Sequence, residues 1–313
     1  MQKKKLFGFI VATAIGLQGI QPSWAIDEPG ALEVVARIAP QVLDGTVPEV
    51  SGVKRSARSL APKPGTLFSS ESRGLRLGLS QPDLEKNTEF RGANYRTLRS
   101  ADGIEFIPLR KIDGSVQTVA ILRSPDAQKH LEFDLELPTN ATAQLLEGGE
   151  VVIADLQGKF LAGISAPWAQ DSSGEAVETF FELRAGKLIQ HVLHNSKNYT
   201  YPIVADPWFG IDLYNKPTVT FHTKGYRINV TPTPWGTANA GIGTWFAHRD
   251  EVKTKLGTNA WRWTNTIQEQ FYCHIAGIPF SLPEYNMESW QPLVNWATSL
   301  TAYQCNPDKG TWY

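Results

Sequence analysis

Between His130 and Leu137 four apolar side chains, Leu131, Phe133, Leu135 and Leu137, alternate with three acids, Glu132, Asp134 and Glu136. A repeat of two suits an extended strand and no helix. It sends the apolar set to one face and the acids to the other. The acids therefore read as a solvated face rather than a metal cluster. Val116 to Leu122, Glu150 to Ala154, Lys159 to Ser165, Thr179 to Arg184 and Lys187 to Leu193 continue the series. Gly148-Gly149, Gln157-Gly158 and Ala185-Gly186 supply the turns between them. Residues 103–207 are thus predicted to form an antiparallel β-sandwich or open barrel.

After Trp208 the pattern changes. Thr218 to Thr223 and Tyr226 to Thr231 predict a hairpin around Lys224-Gly225, ended by Pro232, Pro234 and Gly236. Three helical stripes follow: Trp245, His248, Val252 and Leu256, stopped by Gly257; then Trp263, Ile267, Phe271 and His274; then Trp290, Leu293, Val294, Ala297 and Leu300, with Pro292 in the first turn. The fold class expected is α+β. A β-rich domain at 103–207 is followed at 208–313 by a hairpin and three helices.

The start of the chain reads as a leader. Lys3, Lys4 and Lys5 precede an apolar run from Leu6 to Ile20, and Ser23-Trp24-Ala25 ends in a small-x-small cleavage pattern. The run is shorter than the ~20 residues of a membrane span. Residues 1–25 are expected to be removed, leaving a secreted or extracytoplasmic protein without a membrane span. Residues 26–102 read as a mobile linker or pro-segment, because Pro48 to Gly65 lacks apolar periodicity. Within it, Lys54 to Ser59 is either a solvated charge run or a protease-sensitive site. Ala31 to Ala39 is expected to make an isolated helical turn or two. The whole chain has 30 Lys and Arg against 31 Asp and Glu, net −1. Such a balance argues against nucleic acid as a partner.

In an oxidising compartment the two cysteines, Cys273 and Cys305, are expected to pair, tying the second helix to the end of the third. A catalytic Cys273 would need a histidine partner, and the adjacent His274 points about 100° away around a helix. His274 itself continues an apolar stripe, where a histidine is usually a hydrogen-bonded core residue. His274, Glu288 and Trp290 are the residues of a possible functional cleft. No zinc-ligand spacing, GxSxG, HExxH, P-loop or dinucleotide fingerprint occurs. No catalytic residue, metal or cofactor is assigned. Of the ten tryptophans, seven follow Phe209. Most should be core, with one of Trp261, Trp263 or Trp312 exposed for a sugar or partner surface.

The tail Gln270-Phe271-Tyr272-Cys273-His274, Tyr285 to Pro292 and Cys305-Asn306-Pro307 resembles a C-terminal domain of unknown function found in exported, chiefly actinobacterial, proteins, over about residues 235–307. That pattern usually has a basic residue at Gln291 and often tryptophan at Tyr285. Ala166-Pro167-Trp168-Ala169, Asp171, Gly174 and Tyr201 to Pro207 resemble the region that often precedes such tails. The resemblance implies export and a two-module division, and no reaction. Function is therefore expected to be non-enzymatic, binding a cell-envelope polymer or protein. The alternatives are a secreted effector or antimicrobial precursor released by proteolysis, and an envelope hydrolase using His274 with a carboxylate.

Overall fold

The structure is a computed structural model. It describes residues 29–47, 66–70, 74–80, 95, 97–100, 103–277 and 283–307. The leader and the Pro48–Gly65 stretch lie outside the described residues. Helix α1 (Ala31–Ile38) leads into one 3-10 turn, Pro40–Leu43. Strands β1 (Thr66–Ser70), β2 (Leu75–Leu79), β3 (Leu98–Arg99), β4 (Glu105–Arg110), β5 (Val116–Leu122) and β6 (His130–Glu136) follow. Next come β7 (Ala141–Leu145), β8 (Val151–Asp155), β9 (Phe160–Ile164) and β10 (Trp168–Gln170). The sandwich ends with β11 (Thr179–Arg184), β12 (Lys187–Val192), β13 (Ile203–Asp206) and β14 (Trp208–Gly210).

Two antiparallel sheets enclose the main core. One runs β1-β2-β6-β12-β11, and the other β10-β13-β5-β14-β9-β8-β7 with β3 and β4 beside β5. Leu131, Phe133 and Leu135 of β6 point inward with Leu77 and Leu188, and meet Phe106, Ala120, Ile153, Ala162 and Phe209 of the facing sheet. The β6 acids stay outside, where Glu132 pairs with Lys187 and Glu136 with Arg76. All seven residues of β5 are buried, because its outer face is covered as well.

That cover is α1. Ala31, Val34, Val35 and Ile38 form a stripe at helical spacing on Ile107, Leu109, Val119, Ile121 and Val204. The helix is therefore not isolated. Nor do the described parts of 26–102 act as a linker: α1 covers a sheet, and Leu75, Leu77 and Leu79 of β2 enter the inter-sheet core. Their short alternations carry too few residues to announce what they pack on.

The C-terminal part adds the hairpin β15 (Thr218–His222) and β16 (Gly225–Val230), then the short helix α2 (Pro234–Ala238). Helices α3 (Trp245–Leu256) and α4 (Asn265–Gly277), strand β17 (Tyr285–Glu288) and helix α5 (Trp296–Tyr303) complete it. Gly257 ends α3 with φ 55°, a conformation costly for a side-chain-bearing residue. A third sheet runs β15-β16-β17. Its inner face, Val219, Tyr226, Ile228, Val230, Tyr285 and Met287, packs with α3 and α4.

The third helical stripe is corrected. Trp290, Leu293 and Val294 precede α5, whose N-cap is Asn295, its side chain accepting from the Ala297 amide. Pro292 removes a backbone donor, and Leu293 is left exposed.

The C-terminal core also reaches the sandwich, since Val152 and Phe160 belong to the same cluster as Trp235. A Cβ on Gly210 would lie 2.2 Å from the Trp235 ring, and one on Gly163 2.8 Å. Both glycines therefore make the seat into which α2 inserts its tryptophan.

Candidate functional site

Helix α4 closes the free edge of β17. Strand β16 pairs with one edge, leaving the backbone groups of Asn286 and Glu288 pointing toward α4. Gln270 answers both groups of Glu288: its Nε2 donates to the Glu288 carbonyl at 2.9 Å, and its Oε1 accepts from the Glu288 amide at 2.8 Å. One turn later, His274 Nε2 donates to the Asn286 carbonyl at 3.3 Å. The i, i+4 step along the helix matches a two-residue step along the strand. His274 is buried and stacks on Tyr285 with ring centroids 5.2 Å apart. Burial lowers its pKa to about 4, so the ring is neutral. Its Nδ1 has no partner among the described residues.

The disulfide lies beside this zipper. Cys273, on α4, is bonded to Cys305, two residues beyond α5, with Cα atoms 5.6 Å apart. Glu269 reaches the same region: its carboxylate accepts from the Trp296 amide at 2.7 Å and so caps α5.

Glu288 and Trp290 lie on the other side of β17. Registered pairs put Thr220, Arg227 and Glu288 in one row of the outer face, and Thr218, Asn229 and Asn286 in the next. Glu288 is buried, and desolvation raises its carboxyl pKa against opposing contributions from Gln291 and Arg227. Trp290 sits edge-on to His222 at 5.3 Å. Gln291 Nε2 reaches Asn306 Oδ1 at 3.0 Å and so ties the loop before α5 to the loop after it. The three sequence-selected residues therefore do not share one open cleft. Arg227 Nε, Asn229 Oδ1 and Asn286 Oδ1 are buried there without partners among the described residues. Cross-strand register assembles this polar grid, and no local motif announces it.

At the hairpin tip the inner face opens to solvent. Phe221 and Trp261 are each 70% exposed. The Arg262 guanidinium lies 4.1 Å from the Trp261 ring centroid and 4.9 Å from those of Phe221 and Tyr226. Arg262 Nε donates to Asn259 Oδ1 at 3.2 Å, and no carboxylate pairs with Arg262 among the described residues. Lys224, exposed in the hairpin turn, also lacks an acidic partner among the described residues.

The other buried ionisable groups are committed internally. His248 Nε2 donates to the Asn239 carbonyl at 2.9 Å, so its Nδ1 accepts from the Tyr214 hydroxyl at 2.6 Å. Burial lowers its pKa to about 4. Glu251 accepts from the Leu213 and Tyr214 amides and pairs with Lys255. Among the described residues no His, Cys, Asp and Glu group is arranged to hold a metal ion. No described helix is long and apolar enough to cross a membrane.

Residues 216–308 match the family model described as a protein of unknown function (DUF2599). The match begins before the α4–β17 motif and takes in the β15–β16 hairpin, as the shared sheet requires. No curated protein and no solved structure matches the chain.

Proposed function

We propose that this is an exported binding protein without catalytic activity of its own. Its sandwich carries the disulfide-closed C-terminal module, and that module engages an anionic polymer of the cell envelope. The carrying observation is Arg262 stacked among Phe221, Tyr226 and Trp261 with the outer rings exposed. Exposed aromatic faces supply stacking area, while Arg262 and Lys224 favour negative charge. Supporting the extracytoplasmic setting are the leader pattern and the disulfide. Against a hydrolase using His274 stands its buried, neutral ring, which donates to a backbone carbonyl.

The test is co-sedimentation of residues 26–313 with purified cell walls, before and after removal of their anionic polymers. Retention on intact walls is expected, with at least a tenfold loss in Trp261→Ala and in Arg262→Ala. Absence of retention, or retention unchanged in both variants, would reject the binding role. The precursor alternative has Trp235 against it, because release of the tail would expose this anchored ring. A folded fragment 209–313 that inhibited bacterial growth would favour that alternative instead.

A further inference from the structure

The outer face of the larger sheet is covered in two places, by α1 at one end and by Trp235 at the other. Between the covers the same face continues as Gln117, Asp206, Trp168 and Trp208. Register fixes this: Trp208 is opposite Gln117, and Trp168 is opposite Asp206. Here lies a cavity of about 530 Å³, whose walls include Val42 and Gly45 on one side and Ala238 and Asn239 on the other. Its size lies within the range of small-molecule sites. Its floor residue Trp168 belongs to the Ala166–Ala169 motif, and Asp206, buried and bonded to the lining residue Gln117, belongs to the Tyr201–Pro207 motif.

The site is built rather than left over. Gln117 Nε2 donates to Asp206 Oδ2 at 2.6 Å, which fixes the carboxamide on the floor. Trp208 is held by its Nε1 donating to Ser115 Oγ at 2.9 Å, and it remains half-buried, as does Trp168. Lys111 Nζ donates to the Val42 and Asp44 carbonyls and to Thr46 Oγ1, so it secures the wall formed by residues 42–46. Ser165, also on the wall, has a buried hydroxyl without a partner among the described residues. Asp44 and Glu150 carboxylates line the rim while Lys111 supplies the opposite charge, so neither an anion nor a cation is favoured outright.

We propose that this cavity binds a neutral sugar. Tryptophan faces stack on the C–H faces of a pyranose ring, and carboxylates and a carboxamide accept or donate to its hydroxyls. The proposal uses no residue of the Arg262 surface and is independent of the polymer-binding reading.

The experiment is calorimetric and fluorescence titration of residues 26–313 with N,N′-diacetylchitobiose, cellobiose and maltose. Saturable binding of at least one, with a change in tryptophan emission, is expected. Trp168→Ala should weaken it at least tenfold. Ala238→Trp, which fills the cavity from an exposed helix position, should abolish it with Tm unchanged. Trp261→Ala should leave it intact. No response to any of the three sugars at concentrations on the order of 10 mM would overturn the proposal. So would binding undiminished in both Trp168→Ala and Ala238→Trp.

Discussion

His248 has both ring nitrogens occupied inside the C-terminal core, and its neutrality has a measurable consequence. Its ordinary pKa of 6.5 falls to about 4 through burial. Above pH 6.5 neither the folded nor the unfolded chain holds the proton. Between 6.5 and 4 only the unfolded chain does, so acidification removes stability across that window, by ~2 kcal/mol at pH 5. Asp206 acts with the opposite sign. Burial raises its pKa to about 7, so the folded chain keeps a proton that the unfolded chain has lost. The informative measurement is therefore a difference. Urea unfolding of His248→Gln should show a change between pH 7 and pH 5 that is ~2 kcal/mol smaller than in the wild type. An unchanged pH dependence would contradict the neutral, hydrogen-bonded ring. The apolar stripe around His248 and His274 made burial legible, but neither Tyr214 nor Asn286 was identifiable as a partner. Those contacts come from distant segments.

At the scale of elements, α4 and β17 hold together through a side-chain amide in place of a neighbouring strand. Replacing Gln270 by Ala leaves the Glu288 amide and carbonyl unsatisfied in a buried position. A loss of about 2–4 kcal/mol is expected, since two buried backbone groups lose their partners. Hydrogen exchange should show the Glu288 amide opening far faster than the wild type, with the amides of β16 that face β15 little changed. Equal protection at Glu288 would mean that the strand edge is closed by something else. Strand β6 and helices α3 and α4 were readable because each repeats its period over at least six residues, and β5 as a run of seven bounded by turns. Strand β17 was not. Its four residues carry weak alternation, and their partner β16 lies far upstream. The extension of the third helical stripe back to Trp290 failed for a related reason. Trp290 turns toward His222, and the helix waits for Asn295.

The sandwich and the tail meet at Trp235, and the contact is expected to make the molecule unfold as one body. Its backbone N–H donates to Asp113 Oδ2 at 3.0 Å, and its indole Nε1 to the Trp208 carbonyl at 3.3 Å. Its ring fills the space that Gly163 and Gly210 leave open. The change of pattern after Trp208 marked a boundary in the sequence, but β14 (Trp208–Gly210) is a strand of the larger sheet, so the composition shift and the packing boundary differ. Trp235→Ala is expected to cost about 3–5 kcal/mol, the usual range for emptying a large aromatic site. It also removes an apolar link between the two cores. The wild type should then give a single calorimetric transition, and the variant two. Reduction of Cys273–Cys305 offers an internal marker. It releases a closed loop spanning 32 residues, worth about 3–4 kcal/mol by the chain-entropy argument, and both ends lie in the tail. In Trp235→Ala a reductant should therefore lower only one transition and leave that of the sandwich in place. In the wild type the same reductant should lower the whole coupled transition. A variant that still unfolds in one step, with reduction shifting all of it, would show that other contacts bind the two cores together and that Trp235 is not the coupling element.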